Sequence, residues 1–515
     1  MLNILAYKTF LGCFLLGILV SILVTPRLIL LARKWGAMDQ PGIRKLHRSS
    51  TPLWGGVSVF LGMWAPLVFL TFWDNAVTQR VAGQWDFFLA LLLAGVAMLG
   101  LGILDDKFHL NARWKFSVQI PVALLLVYFG VSFGSITVPG WGSLDLGMWG
   151  PPLTVLWIVG VTNALNLIDG IDGLAAGVTV FVAGTNAFIA VLNGNDMLAL
   201  SMCSLCGACL GFLRYNFSHA RIFLGDTGSL FIGITLAVLS VGANAKGTVT
   251  ASLFVPMLVL GYPIFDTLLA MARRSLLGRS MFTGDRGHIH HRLLAHGLSQ
   301  QKTVWVLYGI SLLFCAVALA AVLNHSRWVA GGVLALTCLS VAGIWSLGYF
   351  KYFSPWRLRL ERSKYQDVHE LAEASKTCLR RASSREEVFQ LLQEACAKFG
   401  LLALEIVLPD RPAGTGASRR WEFASDPGPA APEHRPASTP LCEKFFFVET
   451  GLALSATYLP AQGEEDLWVE HRILLGVIFD VASQQLSQLA VASRAAPSPA
   501  VQTRELLRVV SKCED

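Results

Sequence analysis

Residues 152–192 read PLTVLWIVGVTNALNLIDGIDGLAAGVTVFVAGTNAFIAVL, and this stretch decides the class of fold. It consists of two apolar runs, 152–168 and 171–192, joined by a short turn that carries Asp and Gly residues. A membrane-spanning helix needs about 20 predominantly apolar residues, and glycines let a chain turn tightly. The stretch therefore predicts two spans that meet at one side of a membrane.

Similar apolar runs recur along the first 350 residues, which predicts an all-α polytopic membrane domain with about eleven transmembrane helices. The composition agrees, because 54% of the chain is hydrophobic and only 15% is charged, which excludes a disordered or fibrous protein. The predicted spans are 9–31, 54–73, 86–104, 116–134, 152–168, 171–192, 197–213, 227–243, 250–272, 303–323 and 328–350.

The charges divide the chain into two regions. Residues 1–350 hold 21 Lys and Arg against 12 Asp and no Glu, whereas residues 351–515 hold 20 against 22 acids. The second region predicts a soluble accessory domain over 351–490 and a disordered tail over 491–515. Within the domain, hydrophobic patterning predicts helices at 369–401 and 473–489, strands at 402–408, 445–448 and 452–459, and a loop at 409–440. These elements resemble a small α+β domain, distantly similar to GAF-type modules.

The basic residues also predict an orientation. With the N-terminus outside, the inner loops carry 17 Lys and Arg and the outer segments carry 4, as the positive-inside rule requires. Most of the acids fall on the same inner side. This distribution predicts chemistry at the cytoplasmic face, between a water-soluble substrate and a molecule held in the lipid. The alternative is a transporter or membrane sensor with a signalling tail, although a transporter would place its acids nearer the midplane.

Two inner-face segments carry acids and amides. Asp105 and Asp106 are adjacent carboxylates at the end of a span, and such a pair repels unless a cation or proton relieves it. Asn163 and Asn166 share a helix face, as their spacing of three dictates, and Asp169 and Asp172 follow with the same spacing. Amide and carboxylate oxygens suit a hard cation such as Mg²⁺. A plain Asn/Asp/Gly turn is the alternative, and it leaves the spacing unexplained.

Three further segments suggest anion binding. Asp226 opens a span beside Gly225, Thr227 and Gly228, where free N–H groups could hold a phosphate; a helix N-cap by Asp226 or Thr227 is the alternative. His288, His290, His291 and Arg292 form a cationic, hydrogen-bonding cluster that suits a phosphate or a sugar, or else lipid head groups. Arg48 lies in a basic first inner loop that the positive-inside rule alone could explain.

These five segments, in this order, resemble the polyprenyl-phosphate N-acetylhexosamine-1-phosphate transferase family over about residues 20–300. The His-Ile-His-His-Arg segment is similar to the bacterial branch that uses UDP-N-acetylglucosamine. The phospho-N-acetylmuramoyl-pentapeptide branch is the alternative. The resemblance implies an inner-membrane enzyme that transfers sugar 1-phosphate from a UDP-N-acetylhexosamine to undecaprenyl phosphate and releases UMP, as the first membrane step of a cell-envelope polysaccharide. It also implies Mg²⁺, or Mn²⁺, and no nucleic-acid partner, and it leaves a homodimer open.

The resemblance also implies roles for individual residues. Asn166 and Asp226 would bind the metal, and Asp105, Asp106 and Asp226 would be catalytic. The substrate-binding residues would be Arg48, Asn163, Asp169, Asp172, His288, His290, His291 and Arg292.

Overall fold

The structure is a computed structural model that describes twelve stretches of the chain. They are residues 4–39, 50–138, 142–242, 254–277, 287–323, 326–346, 355–399, 403–407, 418–422, 441–447, 452–458 and 465–495. The chain divides after Ser354 into two compact units, which are described separately.

The first unit consists almost entirely of helices. They are α1 (Ile4–Trp35), α2 (Gly55–Leu70), α3 (Ala76–Val81), α4 (Trp85–Phe108), α5 (Ala112–Tyr128), α6 (Gly150–Ile168), α7 (Leu174–Leu192), α8 (Asp196–Asn216), α9 (Gly225–Gly242), α10 (Phe254–Val259), α11 (Gly261–Leu277), α12 (Ile289–Ala295), α13 (Gln300–Val322) and α14 (Ser326–Ser346). Two antiparallel strand pairs accompany them: β1 (Met38–Asp39) with β2 (Thr51–Pro52), and β3 (Ser135–Val138) with β4 (Gly142–Asp145).

Six helical segments in the described residues are long and apolar enough to cross a membrane, which makes this a polytopic membrane protein. They are Tyr7–Trp35, Ala76–Phe108, Gly147–Ile168, Leu174–Leu192, Asp196–Asn216 and Gln300–Val322, and the helices Gly55–Leu70, Gly225–Val241 and Gly331–Gly343 are apolar but shorter. The count of eleven spans stays a prediction. The ninth predicted span is interrupted at Leu260, because Pro263 has no N–H to donate to Val259 and the helix restarts at Gly261.

Close backbone contacts join α2, α4 and α9. A side-chain Cβ on Gly102 of α4 would lie 2.3 Å from Thr227 Cα of α9, and one on Gly56 of α2 would lie 2.3 Å from Gly228 Cα. Only glycine permits this approach, which is typical of small-residue helix packing in membranes. The contact holds the last turn of α4 against the first turn of α9, and this junction is where the candidate site forms.

The second unit combines three helices with one sheet. Its elements are α15 (Pro355–Arg381), α16 (Arg385–Lys398), β5 (Ala403–Val407), β6 (Ser418–Glu422), β7 (Leu441–Phe447), β8 (Leu452–Tyr458) and α17 (Glu465–Ala495). The strands form an antiparallel sheet in the order β6-β5-β8-β7. The three helices enclose a core that includes Leu379, Leu392, Ile478 and Phe479. The similarity to GAF-type modules stays a prediction.

Three expectations for this unit were wrong in detail. The predicted helix 369–401 is two helices, because Ser384 caps a new start by accepting the N–H of Glu387 at 3.2 Å. Strand β6 lies inside the predicted loop 409–440, since its sequence Ser-Arg-Arg-Trp-Glu has no apolar alternation that would reveal it. Helix α17 continues to Ala495, so residues 491–495 are helical although the tail was expected to be disordered from 491.

Candidate active site

Three carboxylates and one ammonium group meet at the junction of α4 and α9. Asp105 and Asp106 come from the last turn of α4, Asp226 from the first turn of α9, and Lys115 from the first turn of α5. Lys115 Nζ lies 2.7 Å from Asp226 Oδ2 and also forms an ion pair with the buried Asp105 carboxylate. One cation therefore bridges two acids that would otherwise repel each other.

Asp106 faces the other way and caps helix α9. Its Oδ1 accepts the N–H of Asp226 at 2.8 Å, and its Oδ2 accepts the hydroxyl of Thr227 at 2.6 Å and the N–H of Thr227 at 3.3 Å. A carboxylate is favourable at a helix N-terminus, where the N–H groups are unsatisfied and the dipole is positive. The cap of α9 thus comes from α4, not from Asp226 or Thr227 as the sequence alternative held.

Asn163 and Asn166 lie on successive turns of α6. Asn166 Nδ2 donates to Asp226 Oδ1 at 2.5 Å and to Ser229 Oγ at 2.9 Å. One turn earlier, Asn163 Nδ2 donates to Gln119 Oε1 at 2.7 Å. Gln119 is buried and was not predicted as a site residue. The signal for it was its position four residues after Lys115 on α5, which places both side chains on one helix face.

The donor chemistry of this centre fits a hard divalent cation. Asp226 and Asn166 carry carboxylate and amide oxygens, which Mg²⁺ prefers, although Asn166 here turns its Nδ2 towards Asp226 Oδ1. In the described part of the chain, no cluster of three or more His, Cys, Asp or Glu side chains forms a metal site. Lys115 supplies positive charge between Asp105 and Asp226 instead. A magnesium site on Asp226 and Asn166, the two ligands that the resemblance implied, would require the Asn166 amide to present its oxygen in place of its Nδ2.

The turn between α6 and α7 carries the next two predicted residues. Removal from water raises the pKa of Asp169 well above its ordinary value, and the charges of Asp106 and Asp172 add to the shift. Asp172 Oδ2 accepts the N–H of Ala220 at 3.0 Å and so fixes the turn to the segment that leads into α9. Asp169 thus lies within electrostatic reach of Asp106, whereas Asp172 has a visible structural contact.

The histidine segment packs against the same turn. A Cβ on Gly170 would lie 2.5 Å from His290 Nε2, so the imidazole ring rests directly on this glycine. The rings of His288 and His290 stack with centroids 5.8 Å apart, and the ring of His291 lies 4.2 Å from that of His290. Burial and the neighbouring His291 lower the pKa of His290 to about 3, which keeps this ring neutral.

An unpredicted acid holds the histidine segment. Asp266 of α11 is buried, and its Oδ2 lies 2.9 Å from His288 Nδ1 while its Oδ1 accepts the N–H of Ile289 at 2.7 Å. This acid lies within the predicted ninth span, 250–272, and no role was predicted for it. The signal was available, because an ionisable residue within an apolar span is rare and is commonly functional.

The structure thus brings the predicted residues into two neighbouring groups. The first contains Asp105, Asp106, Asn163, Asn166 and Asp226; the second contains Asp169, Asp172, His288, His290, His291 and Arg292, of which Arg292 is buried on α12. Arg48 lies outside the described residues. The described site residues come from several helices and one turn of the first unit, and none comes from the second.

Comparison with known proteins gives consistent matches. A family model described as glycosyl transferase family 4 matches residues 88–244. The probable undecaprenyl-phosphate N-acetylglucosaminyl 1-phosphate transferase of Bacillus subtilis (strain 168) is 41% identical over 308 residues, which is 59% of this chain and 83% of the relative.

Two further relatives match at lower identity. The decaprenyl-phosphate N-acetylglucosaminephosphotransferase of Mycobacterium tuberculosis (strain ATCC 25618 / H37Rv) is 38% identical, over 54% of this chain and 74% of the relative. The undecaprenyl-phosphate alpha-N-acetylglucosaminyl 1-phosphate transferase of Escherichia coli (strain K12) is 28% identical, over 58% and 80%. The resemblance found in the sequence is confirmed, and the chain belongs to glycosyl transferase family 4, among the polyprenyl-phosphate N-acetylglucosamine-1-phosphate transferases.

Proposed function

We propose that this protein transfers N-acetylglucosamine 1-phosphate from UDP-N-acetylglucosamine to undecaprenyl phosphate and releases UMP. The relatives are named as N-acetylglucosaminyl 1-phosphate transferases or N-acetylglucosaminephosphotransferases that act on undecaprenyl or decaprenyl phosphate, and this chain covers 74–83% of their length. The observation that carries the proposal is the convergence of Asp105, Asp106, Asp226, Asn166 and Lys115 at one helix junction. The muramoyl-pentapeptide substrate is the less favoured alternative.

The geometry suits the transfer of a phosphoryl group. Both reactants are anions, and such reactions depend on positioning and charge neutralisation more than on covalent help from the protein. In the proposed step, an oxygen of the lipid phosphate attacks the sugar-linked phosphorus, the bond to UMP breaks, and UMP leaves with that electron pair. Lys115 supplies positive charge beside Asp105 and Asp226, and Asp106 holds the first turn of α9 in place.

A divalent cation would complete the centre. We propose Mg²⁺, with Mn²⁺ as a substitute, held by Asp226 and Asn166; when bound, it supplies charge neutralisation at the phosphate oxygens. The chemistry of the oxygen donors supports this assignment. Asp169 and the histidine segment lie beside the centre and would contact the nucleotide, the sugar or its phosphate.

The proposal includes a place in the cell. The distribution of Lys and Arg supports an eleven-span protein of the bacterial inner membrane, with the N-terminus outside and both the site and the second unit in the cytoplasm. A homodimer stays a prediction. The transfer itself would be the first membrane step in the synthesis of a cell-envelope polysaccharide.

A reconstituted assay tests the proposal. Purified protein in detergent would receive undecaprenyl phosphate and UDP-N-acetylglucosamine, with Mg²⁺ or with EDTA, and mass spectrometry would detect UMP and the lipid diphosphate. We expect a Mg²⁺-dependent product, and we expect Asp226→Asn to reduce turnover by at least about 100-fold, because it removes a charge at the reacting centre.

Asp196→Asn is the matched control. Asp196 also forms an ion pair, with Arg80, but it begins α8 at the opposite end from the site. This variant should keep wild-type turnover. Full activity of Asp226→Asn, or equal activity in EDTA, would contradict the metal assignment, and the absence of any product from folded wild-type protein would contradict the function. Competition by UDP-N-acetylmuramoyl-pentapeptide as a productive donor would favour the alternative substrate.

A further inference from the structure

We propose that Asp266 is a positioning residue for the transfer, which fixes the ring orientation and the hydrogen-bonding state of His288. The proposal rests on the proposed function and deepens it. It concerns a side chain two helices away in sequence from the carboxylate centre, within the predicted ninth span.

One carboxylate makes two contacts with the histidine segment. Asp266 is 1% exposed, and its two oxygens are divided between the ring Nδ1 of His288 at 2.9 Å and the backbone N–H of Ile289 at 2.7 Å. His288 is itself 3% exposed. A buried carboxylate is costly unless it is fully hydrogen-bonded, so the two contacts favour a single arrangement of the ring relative to the start of α12.

A second contact from α11 reinforces the first. Arg273 lies seven residues after Asp266, hence on the same helix face, and its buried guanidinium donates to the carbonyl of Gly287. Residues 287–289 are therefore held at consecutive positions by one helix. A Cβ on Gly287 would lie 1.9 Å from the Arg273 guanidinium, so the guanidinium rests directly against this glycine.

The Asp266 contact has a chemical consequence for His288. Because Nδ1 donates to the carboxylate, Nε2 is the ring nitrogen that can meet a substrate. The ring of His288 stacks on that of His290, and the ring of His290 rests on Gly170. These contacts link the orientation of His288 to the turn that holds Asp169.

A double-mutant cycle in the reconstituted assay separates this role from simple packing. The variants are Asp266→Asn, His288→Ala and the double variant, with kcat and KM for UDP-N-acetylglucosamine measured for each. If Asp266 acts through His288, Asp266→Asn lowers kcat/KM about 10- to 100-fold in the wild-type background and less than about 2-fold in the His288→Ala background. Equal losses in the two backgrounds would overturn the proposal.

Asp266→Glu provides a second, independent criterion. Asn has the shape of Asp without the charge, whereas Glu keeps the charge and is one methylene longer. Positioning by charge predicts that Glu retains more activity than Asn; packing alone predicts the reverse, because the added methylene must fit a filled site. Asp196→Asn, measured in parallel, controls for the loss of a carboxylate elsewhere.

The outcomes separate the two proposals. Wild-type turnover combined with a fully active Asp266→Asn variant overturns the role of Asp266 and leaves the transferase intact. A folded wild-type protein without turnover overturns the proposed function and this inference with it. Loss of kcat/KM in Asp266→Asn that disappears in the His288→Ala background supports both.

Discussion

Asp105 and Asp106 are neighbours in sequence, yet their carboxylates serve different parts of the structure. Asp105 pairs with Lys115, and Asp106 caps α9 through Asp226 and Thr227. The sequence could predict that two adjacent acids need compensation. It could not predict that the two carboxylates bind different partners, because the N–H groups from which Asp106 accepts hydrogen bonds lie 120 and 121 residues further along the chain.

The buried histidine of the site gives a pH-dependence with a definite sign. The pKa of His290 falls from its ordinary value of 6.5 to about 3 in the fold. Below pH 6.5 the unfolded chain therefore binds a proton at this residue that the folded protein does not. The contribution of the neutral ring to the free energy of unfolding is fully present above pH 6.5 and is lost as the pH falls towards 3. At pH 5.5 the loss is about 1.4 kcal/mol.

His290→Gln should remove this dependence. We expect the decrease in the unfolding midpoint between pH 7.5 and pH 5.5 to be smaller in the variant than in the wild type, as measured by thermal unfolding in detergent. His296→Gln, which changes an exposed histidine at the end of the same helix, is the control and should keep the wild-type decrease. An unchanged decrease in His290→Gln would show that the ring is not held neutral.

At the scale of the helices, the sequence predicted where the apolar helices lie better than where a helix is interrupted. Each predicted span overlaps a helix, since an apolar run of about 20 residues favours one. The interruption at Leu260 and the separate start of α16 at Arg385 were missed, because both depend on a single proline or a single capping serine. The position of α4 against α9 was also unpredictable from periodicity, since it depends on Gly102 facing the backbone of Thr227.

Gly102→Ala tests that helix contact. The new Cβ would lie 2.3 Å from backbone Thr227 Cα, so α4 and α9 must separate. We expect a loss of stability of about 1–3 kcal/mol and a fall in turnover of at least about 10-fold, because the carboxylates of α4 move away from Asp226. Gly100→Ala is the matched control on the same helix, where a Cβ meets no atom within 4 Å, and it should be neutral in both measurements.

At the scale of the whole molecule, the charge partition of the sequence predicted two units, and the chain divides after Ser354. Every described site residue belongs to the first unit, and the family match at 88–244 also lies there. The second unit has a core of its own around Leu392 and Phe479. Its sheet was predicted only in part, because β6 carries charges and no apolar pattern.

Leu392→Ala should therefore weaken the second unit alone. This side chain is fully buried, and its truncation is expected to cost about 2–5 kcal/mol. We expect faster proteolysis of residues 355–495 and turnover within about 2-fold of the wild type. Gln393→Ala, at the neighbouring exposed position, should change neither. A parallel loss of turnover in Leu392→Ala would show that the transferase depends on the fold of the second unit.

The Lys115 bridge also bears on how the protein is made. The site needs side chains from residues 105 to 292, so it cannot exist until most of the membrane unit has been synthesised. Asp105, however, meets Lys115 only ten residues later, on the helix that directly follows its own. A buried carboxylate without a partner is costly in lipid. The α4–α5 pair can thus leave the insertion machinery with that charge already neutralised, long before Asp226 emerges from the ribosome.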